Sequence, residues 1–242
     1  IYDNINILNV LKELKVPKVI ENYLKIIKKK MHSLKLFSSE EEYNNIYNKI
    51  YDFVTEKLYE KIYPVVPSDN DITIYNNCCK LNWTEPKHYL KGKTNFVLDT
   101  FLPDILNDFK QIHRQKSPRK KILYMRHIFN CIKNIGKLNG EDDDNFGLDE
   151  QISILTYSFI KAQPVFIETN CNYMELFVEK NGENDSFLTQ LKVMCNFVRK
   201  INYANLNGVT QEEFEGKTKE FEEKEMNINT SITFQNFFNE IK

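Results

Sequence analysis

Apolar residues recur along this chain at intervals of three and four, the spacing that gathers side chains on one face of a helix. Ile5, Leu8, Leu11 and Leu14 predict a helix over residues 1–14 that stops before Pro17, and Val19, Ile20, Tyr23, Ile26, Ile27, Met31 and Leu34 predict a second. Ser39 with Glu42 three residues later reads as a capping box. It opens a long helix through Tyr43, Ile46, Tyr47, Ile50, Phe53, Val54, Leu58 and Ile62, ended by Pro64 and Pro67. Further helices are expected over residues 69–81, 84–90 and 95–111. Ser117-Pro118 supplies an N-cap and a first-turn proline for a helix reaching Ile135. Thr210 with Glu213 is another capping box, and Phe234, Phe237, Phe238 and Ile241 make a short final amphipathic helix. Strand-like alternation is almost absent. The pattern predicts an all-α protein: an N-terminal helical bundle over residues 1–66, packed on a larger layered helical domain over 67–224, and a C-terminal amphipathic helix over 225–242.

The segment from residue 149 to 197 organises the larger domain. Ile152, Ile154, Leu155, Tyr157, Phe159 and Ile160 leave its first helix almost no polar side, which places that helix in the middle of a bundle. Asp149 at the start is expected as the N-cap, stabilised by the unpaired N–H groups and the helix dipole, with Gly147 and Leu148 shaping the turn into it. A polar turn then leads to an apolar segment over 170–177, and a further helix is expected over 185–201.

With 242 residues there is ample length for a core, and 41% hydrophobic with 28% charged residues places the chain in the globular class. A formal charge of −1 gives no general attraction to nucleic acid or anionic lipid, local patches aside. The run Lys28-Lys29-Lys30 reads as a solvated face, three charges being few for a lipid site. No apolar run is long enough to span a bilayer. A start at Ile1 in place of methionine suggests an excised fragment. Five cysteines without Cys-x-x-Cys spacing suggest free thiols in a reducing compartment, with neither disulfides nor a zinc site.

Candidate chemistry is sparse. The acids at 141–144 are consecutive, so they point in different directions and read as a solvated loop, not a metal site. His32, His88, His113 and His127 are scattered, without a metalloprotease helix or a nucleophile elbow, and there is no glycine-rich phosphate loop. Neither a cofactor, a metal nor covalent chemistry is expected, and Trp83 reads as a core residue. An acid–base hydrolase is disfavoured because no base, nucleophile and metal set converges.

One ordered set of residues goes further. After an acidic residue and an apolar helix come Tyr157, Lys161-Ala162-x-Pro164, Asn170, Tyr173, Gly182-Glu183, Thr189 and an apolar stretch from Leu191 to Phe197. Upstream stand Leu58-Tyr59, Tyr63-Pro64, Leu81-x-Trp83-x-x-Pro86-x-x-x-Leu90, Pro118-x-x-Lys121-Ile122 and His127-Ile128-Phe129-Asn130. This set resembles the vacuolar-protein-sorting-nine domain, the catalytic domain of guanine nucleotide exchange factors for Rab GTPases of the Rab-five class, over roughly residues 45–215.

The resemblance implies a groove between the helices of 149–161 and 185–201 that takes the apolar switch regions of the GTPase. It makes Asp149 the acidic finger aimed at the phosphate site, with Ile152, Ser153 and Thr156 on one wall and Ser186, Thr189, Gln190 and Val193 on the other. The implied partner is a Rab-five-class GTPase in its GDP or nucleotide-free form. The protein is expected to act as a monomer in the cytoplasm, at endosomal or vesicle membranes, without nucleic acid and without a membrane span. Two positions depart from the family pattern: Ser186 stands where a tyrosine is usual, and Ser153 where a proline is usual. The alternative they leave open is an exchange-inactive helical module that binds a Rab GTPase or a scaffold.

Overall fold

Short polar side chains placed just ahead of apolar runs set most of the helix starts. The computed structural model describes residues 7–34, 37–64, 66–90, 97–140 and 146–225, together with residue 236. Among these are ten α-helices and two single 3-10 turns, at Pro86–His88 and Tyr203–Asn205. The helices are α1 (Ile7–Glu13), α2 (Val16–Ser33), α3 (Glu40–Ile62), α4 (Asp69–Lys80), α5 (Leu102–Arg114), α6 (Pro118–Leu138), α7 (Leu148–Ala162), α8 (Ile167–Phe177), α9 (Gly182–Lys200) and α10 (Gln211–Glu225). The fold is all-α, and no described residue lies in a strand. Ile5, the acidic loop at 141–144 and Phe234, Phe237, Phe238 and Ile241 fall outside the described residues.

The caps behave as short oxygen acceptors should. Ser39 Oγ accepts the Glu42 N–H at 3.1 Å, while the Glu42 carboxylate reaches past the cap to the Ser38 N–H at 2.8 Å. Ser68 and Asp71 form a complete capping box at the head of α4. Ser117 Oγ accepts from the Lys120 N–H, and Thr210 Oγ1 accepts from the Glu213 N–H.

The main core is shared by α4, α5, α6, α7, α8 and α9, with Ile74, Ile105, Phe109, Ile128, Ile132, Leu155, Phe159, Met174, Leu191 and Val198 among its buried members. The ring of Phe109 meets that of Phe159 edge to face at 5.4 Å, joining α5 to α7. A second core brings Leu8 and Leu11 of α1 and Tyr59, Ile62 and Tyr63 around Tyr173 and Phe177 of α8. At its centre lies the fully buried Lys121 of α6. Its ammonium donates to the carbonyls of Ile112 (2.8 Å) and His113 (3.4 Å) in the last turn of α5. The rings of Tyr59, Tyr63 and Tyr173 surround it at 5.2–5.9 Å. Carbonyls that a helix end leaves unpaired and the faces of aromatic rings are both electron-rich partners for a cation. Asp52 of α3 accepts from Ser117 and pairs with Arg119 at the head of α6, so α3 is bound to α6 by side chains as well as by packing.

Four expectations need correction. Residues 84–90 form a single 3-10 turn, because local side-chain bonds satisfy the backbone: Thr84 Oγ1 donates to the Leu81 carbonyl, and His88 Nδ1 accepts the Glu85 N–H. The helix expected over 95–111 starts at Leu102 and runs to Arg114, with Pro103 in the first turn, where its missing N–H matters least. The supposed polar turn after Pro164 is buried: Val165 and Phe166 pack inward, and α8 begins at Ile167 behind Phe166 in a left-handed conformation, φ 53°. The helix expected from residue 185 starts at Gly182, because Asn181 caps it through its side-chain oxygen.

Candidate functional site

The start of α7 is held by a contact between glycine and an aromatic ring. A glycine inside a helix weakens it by about 1 kcal/mol relative to alanine, so its surroundings show whether packing offsets that cost. At Gly136 of α6 the neighbour is Phe146: an added Cβ would lie 2.6 Å from its ring. The buried Phe146 therefore rests directly on the α6 backbone, and its carbonyl accepts a hydrogen bond from Gln151 Nε2 at 3.0 Å. Ring and carbonyl together fix where α7 begins.

Gly147 is the N-cap, in extended conformation and with no side-chain cap bond. Asp149 is the second residue of the helix, not the cap expected from sequence. The physical reason is one of register: the ring of Phe146 pins the chain two residues earlier than the carboxylate alone suggests. Asp149 still lies in the field of the helix N-terminus, and its side chain is exposed. From Ile154 to Ile160 every residue of α7 is buried. An exposed acid thus stands in the first turn of a helix that is buried from Ile154 onward.

Beside that tip opens a cleft of about 540 Å³, lined by Tyr89, Leu90, Asp149, Glu150, Ile152, Ser153, Thr156, Phe197, Ala204, Asn205 and Asn207. Positions 149, 152, 153 and 156 share one helical face, which is why they line it together. The far wall differs from expectation. Ser186, Thr189, Gln190 and Val193 do not line the cleft. They form a stripe on the outer face of α9, where Ser186 and Thr189 are exposed and Val193 is 50% exposed. Eleven residues after Ser186, which is close to three turns, the same stripe arrives at Phe197, and there it enters the cleft. The groove between the two helices is therefore complete only at the C-terminal end of α9.

The remaining walls are braced from two sides. Asn207 N–H donates to the His88 carbonyl at 2.8 Å, joining the turn after α9 to the 3-10 turn before α5. The Tyr89 hydroxyl bonds Thr84 Oγ1 at 2.9 Å, and its ring leans on that of Tyr157 at 5.9 Å. Burial pushes the phenols of Tyr89 and Tyr157 above their ordinary value, so both stay neutral at physiological pH. At the other end of α7, Lys161 donates to the Asn82 carbonyl and lies over the Tyr157 ring at 5.6 Å, with its pKa lowered by burial. The Lys161-Ala162-x-Pro164 motif is thus a tie between α7 and the turn after α4, away from the cleft.

Among the described residues, one further group of titratable side chains comes close together around His127. His127 Nδ1 meets Asp108 Oδ2 at 2.5 Å, and Cys131 Sγ lies 3.9–4.0 Å from both ring nitrogens. A sulfur equidistant from the two nitrogens sits beside the ring, not on the axis along which a base would take its proton. Burial, followed by repulsion from Asp108 and Asp104, pushes the Cys131 thiol up to about 11, so it is no nucleophile at neutral pH. Among the described residues no three His, Cys, Asp or Glu side chains are arranged to hold a metal ion, and no helix is long and apolar enough to cross a membrane.

Sequence reasoning missed Tyr89, Leu90, Phe197, Ala204, Asn205 and Asn207 as cleft residues and Gly136 and Phe146 as supports. Two signals were present: an isolated glycine inside an apolar helix, and Phe197 in helical register with Ser186 and Val193.

Residues 102–203 match the family model of the vacuolar sorting protein 9 (VPS9) domain. No curated protein matches the chain. The matched span takes in α5 to α9, hence Asp149, Ile152, Ser153, Thr156 and Phe197, while Tyr89, Leu90, Ala204, Asn205 and Asn207 fall outside it.

Proposed function

Since residues 102–203 are a VPS9 domain, the domain of exchange factors that act on small GTPases, we propose that this chain promotes GDP release from a Rab-five-class GTPase at endosomal or vesicle membranes, with Asp149 as the acidic finger. GDP leaves a GTPase slowly because backbone amides, a lysine and magnesium hold its phosphates with many charge-assisted contacts. An exchange factor lowers that barrier by binding the nucleotide-free conformation more tightly than the loaded one. A carboxylate delivered to the phosphate site does this in two ways: it disfavours phosphate and magnesium, and it gives the freed lysine a partner. No bond to the nucleotide is made or broken.

The observation that carries this reading is Asp149 itself, exposed near the start of a helix whose following turn is half-buried and which is wholly buried from Ile154 to Ile160. Charge repulsion works best where the backbone that carries the acid is held, and the packing of Phe146 against Gly136 just ahead of α7 supports that. The apolar side chains Ile152, Leu90, Tyr89 and Phe197 beside it offer a cleft for an apolar switch residue. Ser186, Thr189, Gln190 and Val193 then extend the contact surface along α9 beyond the cleft.

The second reading, a module that binds a GTPase without accelerating exchange, draws on Ser186. Its hydroxyl accepts from Gln190 Nε2 at 3.2 Å and presents no aromatic surface to a partner. GDP release from a panel of Rab GTPases, with and without the protein, separates the two: acceleration on a Rab-five-class member supports exchange, and binding with no acceleration on any member supports the module.

A further inference from the structure

The outer face of α2 has the composition of a surface that meets an anionic membrane. Val19, Tyr23 and Ile26, spaced by four and three, are 64%, 54% and 54% exposed, and Leu34 after the helix is 60% exposed. They lie on one side of the helix, while Leu24 and Met31, about a third of a turn round, bury the adjoining side against the protein. On a monomer, large apolar side chains left in water as a continuous stripe call for an occupant.

The charge around the stripe selects the occupant. Residues 7–34 contain seven lysines against two glutamates, a formal +5, in a chain whose formal charge is −1. By helical register Lys18, Lys25 and Lys29 form a row along one flank of the stripe and Lys30 continues its line, all four exposed. Glu21 projects away from the stripe and is paired with Lys25. The run of three lysines is not a unit: Lys28 is turned inward, over the Tyr47 ring at 5.0 Å. An apolar stripe with a one-sign basic margin is what an interfacial helix presents to a bilayer, its apolar side chains at the acyl boundary and its lysines among anionic headgroups.

We propose that the exposed face of α2 is a membrane-docking surface for anionic lipid, with Val19, Tyr23 and Ile26 entering the interface and Lys18, Lys25, Lys29 and Lys30 holding the headgroups. Recognition is by charge and insertion, without a pocket for a particular headgroup. The surface lies on the N-terminal helices and takes in none of the cleft residues around Asp149, so the inference stands apart from the exchange mechanism.

The test is co-sedimentation of the whole chain with vesicles of phosphatidylcholine alone and of phosphatidylcholine containing about a third phosphatidylserine. The expected result is binding to the anionic vesicles only, released by high salt. Lys18→Glu with Lys25→Glu and Lys29→Glu should weaken that binding at least about tenfold, and Val19→Gln with Ile26→Gln should do the same while leaving the charge untouched. All five positions are exposed, so unchanged circular dichroism and unchanged GDP release in solution are expected of both variants. Equal binding to neutral and anionic vesicles, or anionic binding indifferent to both variants, overturns the proposal. So does absence of vesicle binding, and self-association abolished by Val19→Gln with Ile26→Gln would then assign the face to a second copy of the chain.

Discussion

The most informative single residue for stability is Lys121. A lysine with no exposed surface is tolerable because its ammonium meets two helix-end carbonyls and three tyrosine rings, all electron-rich. Lys121→Ala leaves a cavity and two carbonyls without their donor, and should lower unfolding free energy by about 3 kcal/mol in denaturant titration. Its pH signature follows from burial, which holds its pKa well below 10.5. Between the folded value and 10.5 the unfolded chain binds the proton and the folded chain does not, so in that window this residue makes stability rise with pH. Lys121→Met removes that rise while keeping most of the volume. The comparison belongs below pH 10, because the buried phenols of Tyr59, Tyr63 and Tyr173 are raised and act in the opposite sense above it. Parallel stability–pH curves for parent and Lys121→Met would contradict the assignment. At the partner surface, Ser186→Tyr should speed exchange several-fold, since a tyrosine adds rigid contact area at an exposed helical position. An unchanged or slower rate would mean that α9 is fitted to its partner as it stands.

Among the elements, α7 decides the geometry of the site. Gly136→Ala places a methyl group 2.6 Å from a ring that has nowhere to go but outward, costing about 1–3 kcal/mol as overpacking and shifting the first turn that carries Asp149. Exchange per folded molecule should fall together with stability, and a variant that loses stability while exchanging at the parental rate would show that the latch does not position the acid. The existence of α7 is legible in the sequence from its apolar circumference, and α3, α6 and α10 are legible from Ser39, Ser117 and Thr210. What hides is whatever tertiary contact decides. The N-cap shifts from Asp149 to Gly147 because a ring from the preceding loop rests on a different helix. Phe166 takes a left-handed conformation because its side chain is fully buried and its ring stacks on His113, not because of any local turn signal. Residues 84–90 carry helical spacing, yet Thr84 and His88 satisfy their backbone locally. Five of the eleven cleft residues, Tyr89, Leu90, Ala204, Asn205 and Asn207, come from short turns outside the α-helices, where spacing does not say which side chains meet.

For the molecule as a whole, the motifs that looked most like a catalytic signature turn out to divide into two jobs. Tyr59, Tyr63, Lys121, Asn170 and Tyr173 assemble the second core, with the Tyr63 hydroxyl donating to Asn170 Oδ1 at 3.1 Å, whereas Asp149, Ile152, Ser153 and Thr156 face the cleft. Because that core is shared between α1, α3 and α8, residues 67–225 alone would expose Tyr173, Phe177 and Lys121 to water. Such a fragment should melt without a sharp transition, or more than about 10 °C below the whole chain, by circular dichroism; a cooperative melt at the parental temperature would make α1–α3 a separable module. The proposed exchange mechanism depends most on the acid in the first turn of α7. Asp149→Ala leaves the cap at Gly147 and the buried turns untouched, so it should cost well under about 1 kcal/mol of stability and leave the melting curve unchanged. The decisive measurement is GDP release from a Rab-five-class GTPase with the parent and with folded Asp149→Ala: acceleration by the parent and none by the variant is the predicted result, and equal acceleration by both would contradict it.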